Sequence, residues 1–475
     1  MTVSSQPSAG IKGFLETRVL QGQPLTSELL AILLVYFVQG ILGLARLAVS
    51  FFLKDDLGLS PAEVAALTGI ATLPWTIKPL FGLVSDGLPI FGYRRRPYLV
   101  LSGLLGAASW WALATVVQSS WGAIAAISLS SLSVAIGDVI VDSLVVERAR
   151  GESLGTAGTL QSLAWGAAAV GGLLTAYLGG VLLEQVSTRT VFAITATFPL
   201  IVSMVAWLIS ETPVEKAPTW TVMAGQVRQL WQAIRQKAIW MPALFLFLWQ
   251  ATPTADAAFF FFTTNELGFQ PEFLGRVRLV TSIAALLGIW VFQRFLRTVP
   301  FRTIFAWSTV LSSLLGLTML LLVTHANRAL GIDDQWFSLG DSLVLTVMGE
   351  IAFMPVLVLS ARLCPPGVEA TLFALLMSIV NLAGLLSHEL GALLTHWLGV
   401  TETNFDRLWQ LVLLTNLSTL LPLPLLFLLP LASSQTPGGE AAAERGQRPL
   451  PAEGRLPAHP ATGPGEVALP AGQSD

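Results

Sequence analysis

The chain is predicted to be all-α: a polytopic membrane protein of twelve transmembrane helices arranged as two pseudo-symmetric six-helix bundles. Three observations predict this: an apolar composition, apolar runs of helix length, and a self-similarity between the two halves. Of 475 residues, 53% are hydrophobic and 12% charged. The mean hydropathy is +0.69, a balance that no water-exposed surface tolerates. Crossing a hydrocarbon core of roughly 30 Å takes about 20 apolar residues in a helix. Barrel strands are excluded because the runs are too long and too evenly apolar.

Taken in order, the helices of the first half are expected over 28–53, 61–85, 97–118, 120–146, 155–183 and 190–210. Those of the second half are expected over 239–263, 272–293, 301–323, 339–361, 369–396 and 405–431. This divides the chain into a cytoplasmic N-terminal segment (1–27), a first bundle (28–210), a charged, Pro-containing linker (211–238), a second bundle (239–431) and a tail (432–475). The first apolar run is too long for a signal peptide. The tail is rich in Pro, Gly, Ala and Glu with almost no aliphatic clusters, so disorder is expected there.

Charge placement carries more meaning than the net −3. Loops 2/3, 4/5, 6/7, 8/9 and 10/11 hold Arg94, Arg95, Arg96, Arg148, Arg150, Lys216, Arg228, Arg235, Lys237, Arg294, Arg297, Arg302 and Arg362. The opposite loops hold only Lys54, Arg189, Arg328 and Arg407. That asymmetry puts both termini in the cytoplasm. The single cysteine, Cys364, excludes an intramolecular disulfide and a cysteine-built zinc site. No metal, cofactor or nucleic acid is expected as a partner; membrane lipid is.

The halves repeat each other. Phe51-Phe52, Asp56-Leu57-Gly58 and Pro61 recur 210 residues later as Phe261-Phe262, Glu266-Leu267-Gly268 and Pro271. Gly137-Asp138 and Ala149-Arg150 recur 212 residues on as Gly349-Glu350 and Ala361-Arg362. Two parallel six-helix halves related by an axis along the membrane normal resemble the major facilitator superfamily, in which the solute binds between the halves near midplane.

An ionisable residue at a helix centre costs at least about 2.5 kcal/mol, which makes each one a candidate for function. Arg46, Lys78, Asp138, Asp142, Asp256, Glu350, His388 and Glu389 lie in expected helices. Asp138 and Asp142 share a helix face four residues apart, and two carboxylates so close repel, which suits a proton site. At the 210-residue offset Arg46 corresponds to Asp256. Arg276 and Arg278 sit near the outer start of helix 8. Arg276 is kept as a candidate, and Arg278 reads as a side chain that snorkels to the interface.

The stretch Gly82-Leu-Val-Ser-Asp86 to Gly92-Tyr-Arg94-Arg95-Arg96 resembles the loop 2/3 signature of the same superfamily, with a longer spacing between Asp86 and Gly92 than is usual. It predicts a latch built from Asp86, Arg94 and Arg95, with Glu147 and Glu211 as further partners.

Together with the Phe51–Pro61 run, Trp75-Thr-Ile-Lys78-Pro79, Tyr93-Arg-Arg-Arg-Pro97-Tyr98 and Asp138-Val-Ile-Val-Asp142-Ser143, the chain looks like the folate-biopterin transporter family. The resemblance implies proton-driven uptake of folates or pterins, by alternating access of the two bundles. The short N-terminus lacks an Arg- and Ser-rich transit pattern, so a cell inner (plasma) membrane is expected; a monomer is expected as well. A carboxylate from Asp138, Asp142 or Asp256 suits the aminopyrimidinone edge of the substrate, and Arg46, Lys78 and Arg276 suit its glutamate tail. Asp142, Asp256 and Glu350 are the candidates for proton coupling. The rival readings are a carrier of the same fold for another small solute and a non-transporting assembly or pigment-handling protein. Four His without a catalytic constellation and no phosphate-binding loop argue against an enzyme or an ATP-driven pump.

Overall fold

In lipid every backbone N–H and C=O must be bonded within the chain, and a helix achieves this alone. The computed structural model describes residues 23–149, 157–213, 234–296, 298–363 and 369–429, with isolated positions before and between them. Among the described residues there are helices and no strand. The expected segment 1–27 lies mostly outside the described residues, as do most of the linker, the tail, Arg150, Lys216, Arg297 and Cys364. The described helices belong to one compact unit, Met1–Gln435, and the second unit, Thr436–Asp475, is not described.

Among the described residues, eleven helices are long and apolar enough to cross a membrane. They are Ser27–Asp56, Pro61–Gly87, Arg96–Thr115, Ser120–Val145, Ser162–Gln185 and Thr188–Leu208 in the first half. Helices 8 to 12 are Pro271–Leu296, Phe301–Val323, Asp334–Ser360, Leu372–Trp397 and Leu408–Leu428. Trp121, Trp207, Trp336 and Trp397 stand exposed near helix ends, as side chains at a lipid–water boundary do.

The seventh helix, expected over 239–263, is broken within that span. It forms Lys237–Gln250, breaks, and resumes as Asp256–Phe261 and the π-turn Phe262–Glu266. Pro253 lies in the gap and has no N–H to continue the ladder. Helix 11 takes over: Ser387 Oγ donates to the Thr252 carbonyl at 2.5 Å, and Thr254 N–H donates to the Ser387 carbonyl at 3.4 Å.

The repeat is present in the backbone as well as in the letters. Phe52–Asp56 and Phe262–Glu266 are both π-turns. Each ends in a left-handed glycine, Gly58 at φ 64° and Gly268 at φ 68°, conformations that a Cβ would disfavour. Each is followed by a helix that starts on proline, Pro61 or Pro271. The later parts match too. Arg96 Nε donates to the Ile209 carbonyl at 2.6 Å, and in the second half Arg302 Nε donates to the Leu429 carbonyl at 2.8 Å. In both, the arginine that opens the third helix of a half ties down the end of its sixth.

Each half has its own apolar core. Ile32, Tyr36, Leu99, Val141, Leu160 and Ala206 belong to one, and Phe245, Phe305, Val356, Val380 and Leu429 to another. The halves meet along helices 2 and 11 and are joined further on the side away from the arginine-rich loops. There Phe261 of helix 7 enters the cluster of Phe52, Trp110 and Phe192, and the rings of Phe51 and Phe260 meet edge to face at 5.3 Å. Lys54 Nζ donates to Asn265 Oδ1 at 2.7 Å, and the Tyr177 hydroxyl donates to Glu272 Oε1 at 3.0 Å. Helices 5 and 8 cross backbone to backbone: a Cβ on Gly180 would lie 2.3 Å from the Pro271 carbonyl oxygen.

Candidate functional site

Helix 2 is interrupted where its lysine sits. It runs as Leu73–Thr76 and resumes as Lys78–Gly87, because Pro79 cannot donate to the Trp75 carbonyl four residues earlier. That carbonyl accepts instead from Asn381 Nδ2 of helix 11, in the other half, at 3.2 Å. The break turns Lys78 toward helix 4. Its ammonium hydrogen-bonds and ion-pairs with Asp138, and lies 4.8 Å from the centre of the Trp75 ring. The two side chains are 17% and 13% exposed, so the ions are largely out of solvent and each depends on the other.

One turn along helix 4, Asp142 accepts a hydrogen bond from the hydroxyl of Tyr36, which is 3% exposed in helix 1. Asp142 also feels the charges of Asp138 and Lys78. Helices 1, 2 and 4 thus assemble two carboxylates, one ammonium, one phenol and an indole face in the first half. The second Asp142 oxygen, which accepts no hydrogen bond among the described residues, is an acceptor available to a donor–donor edge.

The other predicted positions fall elsewhere. Arg276 Nη2 is 2.5 Å from Glu272 Oε1, one turn back on helix 8, and that carboxylate also holds Tyr177. Arg276 is therefore engaged at a helix end. Arg46 is exposed, with no side-chain hydrogen bond or ion pair among the described residues. Arg278, read from sequence as a snorkelling side chain, is half-buried, and the charge of Arg46 acts on it. Asp256 begins the second part of helix 7 and is exposed, again without an ion pair among the described residues. Glu350 of helix 10 packs over Gly288 of helix 8, within the second half. Glu389 lies over Gly69 of helix 2, with Oε1 buried and unbonded.

The loop 2/3 residues form a brace inside the first half. A tight turn with Phe91 at φ 52° and Gly92 at φ 83° pairs Ile90 with Tyr93 and aims three successive N–H groups at one point. Glu211, from the end of helix 6, accepts from the backbone N–H of Arg94 at 2.5 Å, Arg95 at 3.0 Å and Arg96 at 3.0 Å. Arg95, 6% exposed, reaches Asp86 at 2.9 Å. Glu211 thus meets backbone groups and not the Arg94 guanidinium, and the side chain of Glu147 is outside the described residues. Glu211→Gln is expected to lower the melting temperature in detergent, since it weakens charge-assisted hydrogen bonds worth about 1.5–3 kcal/mol each. An unchanged melting temperature would show that the loop holds itself.

Tyr36, Trp75, Asn381 and Arg278 were not singled out from sequence as site residues. Tyr36 and Asn381 carried a usable signal: a phenol or a carboxamide within an apolar helix needs a partner.

A family model described as "BT1 family" matches residues 39–442. A folate-biopterin transporter of Synechocystis sp. is 65% identical over 428 residues, covering 90% of this chain and 87% of that protein. A probable folate-biopterin transporter of Arabidopsis thaliana is 36% identical over 411 residues, covering 84% and 81%. Among solved structures, the nucleoside transporter NupG superposes with a TM-score of 0.64 at 14% identity, over 84% of this chain and 98% of its own. The last of these carries the fold, a two-bundle major facilitator architecture. The match of the family model over most of the length, with relatives at this identity, means that the chain belongs to the BT1 family.

Proposed function

We propose that the chain takes up folates or pterins by proton symport, with alternating access between bundles 28–210 and 239–431. The observation that carries this reading is the Tyr36–Asp142 and Lys78–Asp138 cluster. It holds a carboxylate in an apolar bundle by one phenol, leaving acceptor capacity that fits the paired N–H donors of an aminopyrimidinone ring. The names carried by its relatives from Synechocystis and Arabidopsis support the same substrate class. Lys78 and Arg276 each have a carboxylate partner in this state, so Arg46 is the candidate left to meet a substrate carboxylate.

Asp142, Asp256 and Glu350 are proposed to carry the proton, which discharges a carboxylate in the membrane and allows the loaded carrier to reorient. The membrane is proposed to be the plasma membrane, with the arginine-rich loops and both termini cytoplasmic, and the protein to act as a monomer.

The test is uptake of labelled folate into proteoliposomes under an imposed pH gradient. An acidic exterior should accelerate uptake, and a proton ionophore should remove the acceleration. Asp142→Asn should respond to neither. Uptake indifferent to the gradient in the wild type would replace symport by exchange or facilitated diffusion.

A further inference from the structure

Arg46 of helix 1 and Arg278 of helix 8 belong to opposite halves, and helix 5 brings them to a common level. A Cβ on Gly179 would lie 3.0 Å from the Leu44 carbonyl oxygen of helix 1, and one on Gly180 would lie 2.8 Å from the Cα of Gly275 of helix 8. Arg46 is two residues beyond Leu44, and Arg278 three beyond Gly275. At about 1.5 Å per residue, the two arginines are separated in depth by about one helical turn, which their side chains span. No carboxylate among the described residues acts on either guanidinium, whereas the charge of Arg46 acts on Arg278. The nearest acid on the same helix, Glu272, already serves Arg276 and Tyr177. Arg46 is exposed and Arg278 half-buried, so neither guanidinium is sealed off by packing.

We propose that Arg46 and Arg278 form a two-guanidinium clamp that takes a carboxylate of the substrate across the two halves, so that the carrier selects folates over pterins that lack a carboxylate. The inference rests on the reading of the chain as a folate or pterin carrier. Unpaired guanidiniums within the membrane span are costly, and two of like sign across an interface oppose its closure. A carboxylate bound between them removes both penalties, and the planar fork of arginine matches its two oxygens. The ligand's length fits as well. Tyr36 precedes Arg46 by ten residues on helix 1, about 15 Å along the axis, so a pterin ring held at Asp142 leaves the glutamate tail to reach the clamp.

The experiment uses purified full-length wild type, Arg278→Gln and Arg278→Lys, with 5-formyltetrahydrofolate and biopterin as ligands. Uptake into proteoliposomes and ligand-induced melting shifts are measured for each. In Arg278→Gln the KM for the folate should rise roughly tenfold to a hundredfold, with partial recovery in Arg278→Lys, while the response to biopterin stays that of the wild type. Without ligand, Arg278→Gln should melt no lower than the wild type, because it removes a repulsion and leaves no partner unpaired. An unchanged folate KM, an equal loss for both ligands, or a lower unliganded melting temperature would overturn the clamp. A wild type that answers folate alone is the extreme form of the expected selectivity. A wild type that answers neither ligand overturns the carrier reading and the clamp with it, and is told apart by the behaviour of the unmutated protein.

Discussion

Gly180→Leu is expected to abolish uptake while leaving the protein folded. A Cβ at this position would lie 2.3 Å from the Pro271 carbonyl oxygen and 2.8 Å from the Cα of Gly275, both backbone atoms that no rotamer change can move aside. Helices 5 and 8 would be held apart, and with them the contacts that close this side: Tyr177 to Glu272, Lys54 to Asn265, and Phe51 against Phe260. Each half keeps its own core, so the lesion falls on the cycle and not on the fold. The native cysteine is Cys364 alone, which makes a reporter simple to build. In a Cys364→Ser background, a cysteine at Ala257, partly buried against the closing cluster, should react faster with a water-soluble maleimide when Gly180 is leucine. Wild-type uptake by Gly180→Leu would mean that this crossing does not have to form.

Lys78→Met should be nearly as damaging, by a different route. It strands Asp138, whose side chain is 13% exposed, without its ion. Breaking a buried pair from one side costs about 3–5 kcal/mol, whereas replacing both members with apolar residues is often near neutral. The single variant is therefore expected to express poorly and melt early. The double variant Lys78→Met/Asp138→Leu should regain the melting temperature and still fail to transport. Recovery of transport along with stability would make the pair a structural tie only.

The fold was legible because its two constraints are written locally. Apolar runs of membrane length dictate helices, and the Phe-Phe, acidic-Leu-Gly, Pro pattern repeated 210 residues apart encodes the same π-turn, left-handed glycine and proline-started helix in both halves. The break in helix 7 was less legible. Pro242 leaves Lys237–Gln250 continuous while Pro253 ends it, and the difference lies in Thr252 and Thr254 bonding across to Ser387 of helix 11, a partner more than a hundred residues away.

Site residues divide in the same way. Lys78, Asp138 and Asp142 announced themselves by their cost in lipid, and the spacing of the two aspartates put them on one face. Arg278 announced itself equally, but its seven-residue distance from Pro271 fixes depth and not direction. Snorkelling to the interface and facing Arg46 across the halves give the same sequence. Glu211 was legible as an acid near the arginine cluster, yet its partners are the N–H groups of a turn, which the letters Arg94, Arg95 and Arg96 do not display.

The most direct measurement is counterflow. Proteoliposomes of the purified protein are loaded with unlabelled folate and diluted, with no pH gradient, into trace labelled folate. A carrier whose two halves expose one site alternately to each side must exchange, so label should accumulate transiently above its external concentration, and Gly180→Leu should show none. Saturable binding of folate to the protein without any overshoot of label would contradict an alternating site between the halves.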